Sequence, residues 1–148
     1  MNLFEKVNQD IKQAMRDRNK ERLEALRAIK AAFLLAKTEK GDDELSPEKE
    51  LAIVQKLAKQ RIDSAKIYKE NNRLELYEVE MAQAKVIQEY LPKSMTDEEL
   101  KTYLMELIAK VGATGMKDMG KVMGTATKEL AGKADGSRIS AIVKEILG

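Results

Sequence analysis

The chain has 148 residues, enough for one domain or two small ones around a real core. Charged residues make up 35% of it, but 27 Lys and Arg oppose 25 Asp and Glu, and the net charge of +2 excludes a histone-like polycation or an acidic tail protein. With 43% hydrophobic residues and no Cys, His or Trp, wholesale disorder, disulfides, thiolate-bound metals and Ser–His or Cys–His relays are excluded too. Two Phe and four Tyr are too few for a base-stacking sheet. The longest apolar run, Ala31 to Ala36, is far short of the roughly 20 residues of a membrane span. Glu5 and Asp10 interrupt any signal-like stretch. These features predict a soluble cytoplasmic protein without catalytic residues, metal site or cofactor.

The apolar period is helical from the start. Leu3, Phe4, Val7, Ile11, Ala14 and Met15 share one face of a first helix. Leu23, Leu26, Ile29, Ala32 and Phe33 mark a second, which the stretch Gly41-Asp42-Asp43-Glu44 separates from a third. There Ser46 can cap, Pro47 fits the first helical position, and Glu48 and Glu50 suit the positive helix end. Leu51, Val54, Leu57, Ala58, Ile62 and Ala65 carry that helix toward a break at Asn71-Asn72. A fourth follows through Leu74, Tyr77, Met81, Ala84 and Ile87 and ends before Pro92.

Thr96-Asp97-Glu98-Glu99 is a capping box opening a fifth helix, with Leu100, Tyr103, Leu104, Leu107, Ile108 and Val111 on one stripe and Gly112 as its stop. A sixth runs from about Asp118 to Leu130 and stops at Gly132. A seventh, capped by Asp135 or Ser137, buries Ile139, Ile142, Val143 and Ile146. No segment alternates with the period of two that marks a half-buried strand. Of the eight glycines only Gly41 precedes residue 112. The pattern predicts an all-α protein: an N-terminal bundle of about four helices over 1–91, then a smaller three-helix domain over 95–148.

Gly115-Met116-Lys117-Asp118-Met119-Gly120-Lys121-Val122-Met123-Gly124 is the most unusual segment. Glycine inside a helix costs about 1 kcal/mol relative to alanine, and Gly120 and Gly124 repeat that one turn apart. On spacing alone this bare backbone points to a closely packed neighbouring helix. The sharper alternative is a nucleic-acid backbone, because Lys117, Lys121 and Lys128 run along a nearby stripe. Gly132-Lys133-Ala134-Asp135-Gly136-Ser137-Arg138 reads as a helix stop, a turn and a cap, and Lys133 and Arg138 make it a candidate phosphate site. Between Lys110 and Arg138 six basic residues face only Asp118, Glu129 and Asp135, of which Asp118 and Asp135 are candidate helix caps. Two weaker candidates lie earlier. Glu75, Glu78 and Glu80 read as first-turn acids and a solvated face, and the run from Arg16 to Lys30 as a basic surface.

The run Asp118–Gly124, followed by Gly132–Gly136 and a terminal helix ending in Leu147, resembles the YqeY family. It is also similar to the tail of GatB, a subunit of the tRNA-dependent amidotransferase. Leu26-Arg27, Arg61, Tyr68, Arg73, Leu76, Glu80 and Tyr90-Leu91-Pro92 fit the same pattern, and Gln83 departs from it where a second glutamate is expected. The resemblance implies a two-part helical fold and, through the GatB tail, contact with tRNA or a tRNA-containing complex, without DNA specificity. For such contact the glycine–lysine stripe and the basic turn supply the candidates Lys117, Gly120, Lys121, Gly124, Lys128, Lys133 and Arg138. The alternatives are a protein-interaction adaptor of a translation-related complex, or a carbon–nitrogen ligase association inherited through GatB. The Ser–Ser–Lys arrangement of the amidase subunit has no counterpart here.

Overall fold

A computed structural model describes residues 2–39, 41 and 44–148. Among them there is no strand, and Asp42 and Asp43 of the anticipated linker lie outside the described residues. The chain divides into two compact units, Met1–Leu91 and Pro92–Gly148.

The first unit holds α1 (Leu3–Arg16), α2 (Lys20–Glu39), α3 (Pro47–Glu70) and α4 (Leu74–Gln88). Local chemistry sets their ends. The Asn2 side chain accepts from the Glu5 amide at 2.8 Å, the Asn19 side chain from the Arg22 amide at 3.1 Å, and the Ser46 hydroxyl from the Lys49 amide at 3.2 Å. Asn72 turns the chain out of α3 with a φ of 59°, a left-handed conformation that asparagine tolerates better than most residues. Arg18, between α1 and α2, has a φ of 55° without that advantage. Val7 and Ala14 of α1, Leu26, Ile29 and Phe33 of α2, Val54 and Ala58 of α3, and Ile87 of α4 form the core, with Phe4 tilted against Phe33.

One residue in this unit has a larger task than its local sequence indicates. Glu50, in the first turn of α3, is only 3% exposed. Its carboxylate accepts from the Leu3 amide at 3.4 Å and the Phe4 amide at 3.0 Å. It therefore caps α1 rather than serving the dipole of its own helix, whereas Glu48 stays exposed.

Helix α4 also departs from its anticipated stripe. Tyr77, Ala84 and Ile87 turn inward, but Leu74 and Met81 are exposed, as are Leu76 and Val79. Apolar residues surround this helix on all sides, so period alone does not select a face. Glu80 and Gln83, on the same inward face as Ala84 and Ile87, meet polar groups of α3 and α2. Arg61 Nε donates to Gln83 Oε1 at 3.0 Å and lies 3.9 Å from the buried Glu80 Oε2, while Gln83 Nε2 donates to Glu24 Oε2 at 3.4 Å. A glutamate at 83 has no proton to give Glu24 at neutral pH, so the glutamine suits this carboxylate-rich junction.

The second unit holds α5 (Asp97–Val111), α6 (Met119–Glu129) and α7 (Gly136–Leu147), with a 3-10 turn at Met116–Asp118 leading into α6. The Thr96–Glu99 capping box is complete in both directions, and Gly112 ends α5 at a φ of 71°. Of the two candidate caps of α7, Asp135 takes the role, accepting from the Arg138 amide at 2.8 Å, and the Ser137 hydroxyl donates to the same oxygen at 2.7 Å. Leu100, Leu104, Val122, Ala126, Ile139 and Val143 form a separate core. Each fully buried Leu, Ile or Val side chain contributes about 1.5–3 kcal/mol. No helix among the described residues is long and apolar enough to cross a membrane.

Candidate functional site

Helix α6 presents two unlike faces because 3.6 residues complete each turn. Val122 and Ala126 are fully buried on one side. Gly120, Gly124 and Thr127 follow one another along the opposite side, flanked by Lys121 and Lys128, and all five are exposed. A Cβ placed on Gly120 or Gly124 would meet nothing within 4 Å. The close helix packing anticipated from the glycine spacing is therefore corrected: Val122 and Ala126 face the core of this unit, and the glycines face away from it.

This openness has a direct consequence for stability. Gly124→Ala is expected to stabilise the second unit by about 1 kcal/mol, since alanine gains helix propensity at an unobstructed mid-helix site. Gly120→Ala, in the first turn of α6, should gain less. Thermal melts of the two variants check this, and a lower Tm for Gly124→Ala would reinstate a packed neighbour.

The acidic groups of this segment are each held by a neighbour. Asp118 does not cap α6 as anticipated. Its carboxylate turns back to accept from the Thr114 amide at 2.9 Å, and that hydrogen bond holds its carboxyl below the usual range. Glu129 accepts from the Tyr103 hydroxyl, whose ionisation is pushed up by burial and then by that carboxylate. Asp135 caps α7. The lysines differ. Lys117, Lys128 and Lys133 are exposed and form no ion pair among the described residues. Lys121 Nζ reaches the Val111 carbonyl at 3.5 Å, at the negative end of α5.

Arg138 occupies a different environment. Its Nη2 donates to the Met95 carbonyl at 2.8 Å and to Asp97 Oδ1 at 2.8 Å. The Met95 amide in turn donates to the Lys133 carbonyl at 3.0 Å. The guanidinium thus fastens the chain entering α5 to the start of α7. Arg138→Ala should destabilise the second unit by about 1–2 kcal/mol, because the Met95 carbonyl loses its partner. Asp97→Ala, at the exposed end of the pair, should cost under about 1 kcal/mol. Equal losses in urea unfolding would show that the ion pair, rather than the carbonyl contact, matters.

The basic run in the first unit is partly engaged as well. Arg22 Nη1 pairs with Glu89 Oε2 at 2.8 Å, and Arg16 Nη1 donates to Gln13 Oε1 at 3.4 Å. Glu75 and Glu78 are exposed. Among the described residues, no three Asp or Glu side chains are grouped so that they could hold a metal ion.

The model of the family described as Yqey-like protein matches residues 4–147. The chain belongs to the YqeY family. A relative from Pyrenophora tritici-repentis, named altered inheritance of mitochondria protein 41, mitochondrial, is 31% identical over 152 residues, which cover 97% of this chain and 80% of that protein. The match spans both helical units, so the α6 face and the α2–α4 junction lie inside the family region.

Proposed function

We propose that this YqeY-family chain is a non-catalytic RNA-binding module of the cytoplasm that holds tRNA, or an assembly containing it, on the solvent face of α6 and its adjoining turns. One observation carries the reading. Asp118, Glu129 and Asp135 are committed to partners within the unit, while Lys117, Lys128 and Lys133 are exposed and unpaired among the described residues. A segment with a modest formal excess of positive charge thus directs its cations toward solvent. Gly120 and Gly124 add a strip where a phosphate backbone can approach α6 without meeting side chains. The similarity to the GatB tail supports tRNA as the RNA, with contact to its backbone rather than chemistry on it.

Binding of bulk tRNA by the full chain, measured from ~50 to ~200 mM salt, tests this. Affinity should fall linearly on logarithmic axes as counterions are released, with a slope reflecting several phosphate contacts. An unrelated protein of the same +2 net charge is the control. Binding no stronger than the control at low salt would end the RNA reading and leave the adaptor reading in its place.

A further inference from the structure

In the first unit an open groove of about 430 Å³ lies between α2 and α3. Ala32, Leu35 and Ala36 line it from α2, and Ala52, Ile53 and Leu57 from α3. On both helices these positions repeat every three or four residues, the pattern by which a helix normally meets a packed neighbour. No residue of α1 or α4 lines the groove, and Leu35 is 63% exposed. The three alanines keep the walls low, so another helix can come close enough to bury Leu35.

Charge on the rim narrows the kind of helix. Lys49 and Lys56 stand two turns apart on the α3 wall, and neither forms an ion pair among the described residues. Glu39 is the one acidic lining residue among those described, on the α2 wall. An apolar floor with cations along one edge matches helix-in-groove recognition. We propose that this groove docks an amphipathic helix of a partner protein, with large aliphatic side chains on its inner face and acidic residues along the edge nearest α3. The surface is separate from the α6 face and stands whether or not that face binds RNA.

Fluorescence anisotropy with the full chain tests the proposal. One probe is a helical peptide with leucines along one face and glutamates along one flank, and its twin carries lysines instead of glutamates. The glutamate peptide should bind saturably and at least tenfold more tightly than the twin. Leu35→Gln should weaken it at least tenfold, and Lys49→Glu with Lys56→Glu should reverse the preference. All three positions are exposed, so the melting temperature should stay unchanged. Absent saturable binding, equal binding of the twins, or indifference to Leu35→Gln would overturn the proposal. A concentration-dependent dimer abolished by Leu35→Gln would assign the groove to a second copy of this chain and overturn it too.

Discussion

Glu50→Ala should unfold the first unit more readily than any surface substitution in α3, by about 3 kcal/mol. Helix α1 cannot satisfy the amides of its own first turn. The Leu3 and Phe4 amides point to the Glu50 carboxylate and the Glu5 amide to the Asn2 side chain, and the Lys6 amide makes the first regular helical bond, to the Asn2 carbonyl. Removing Glu50 strips two of those three first-turn amides at once in a site that is 3% exposed. Hydrogen bonds to a charged acceptor contribute about 1.5–3 kcal/mol each, and the Leu3 contact at 3.4 Å belongs at the weak end. For a unit of this size the loss corresponds to a Tm drop of more than ~10 °C. Glu50→Gln keeps an acceptor but loses the charge, so it should fall between. Glu48→Ala, on the exposed side of the same turn, should stay within ~0.5 kcal/mol. Unfolding followed by circular dichroism, with hydrogen exchange of the α1 amides, measures all three. If Glu50→Ala proved as stable as Glu48→Ala, α1 would be held by its apolar face alone.

The same residue shows where sequence reasoning reaches its limit. Ser46, Thr96 and Asp135 were legible as caps because each acts on an amide three residues ahead, within the span a motif covers. Glu50 sits among such first-turn acids, and the helix dipole already accounts for it. Its real partners are 46 and 47 residues away, and nothing local points to them. Arg138 is a parallel case: in sequence it adds to a basic cluster, yet in the fold it holds a carbonyl 43 residues earlier. The number and order of the helices were readable because their apolar stripes and stops agree. The outward direction of the α6 glycines was not, since a one-turn glycine spacing by itself favours a packed neighbour. The burial of Val122 and Ala126 on the far side and the open space at both glycines overturn that expectation. On α4 the apolar residues encircle the helix, so period could not foresee that Leu74 and Met81 would be exposed.

A charge-reversed α6 face should all but lose tRNA binding while keeping its fold. The variant combines Lys117→Glu, Lys128→Glu and Lys133→Glu with Lys121→Gln. The first three side chains are exposed and unpaired among the described residues, so their reversal should change stability by no more than ~0.5 kcal/mol each. Lys121 needs a neutral replacement, because its ammonium faces the Val111 carbonyl at the end of α5 and a carboxylate there would meet the negative pole of that helix. If all four lysines contact phosphates, the slope of log affinity against log salt should fall by about four. At ~50 mM salt the affinity should drop on the order of 100-fold or more, and the difference from wild type should narrow as salt rises. The comparison belongs with a first-unit variant that removes charge without disturbing the fold. Arg16→Ala with Lys20→Ala removes two exposed charges and should have the smaller effect. If the first-unit pair weakened binding as much as the four lysine changes, the interface would lie along the α1–α2 turn. A loss of binding with an unchanged salt slope would show that α6 contributes shape rather than phosphate contacts.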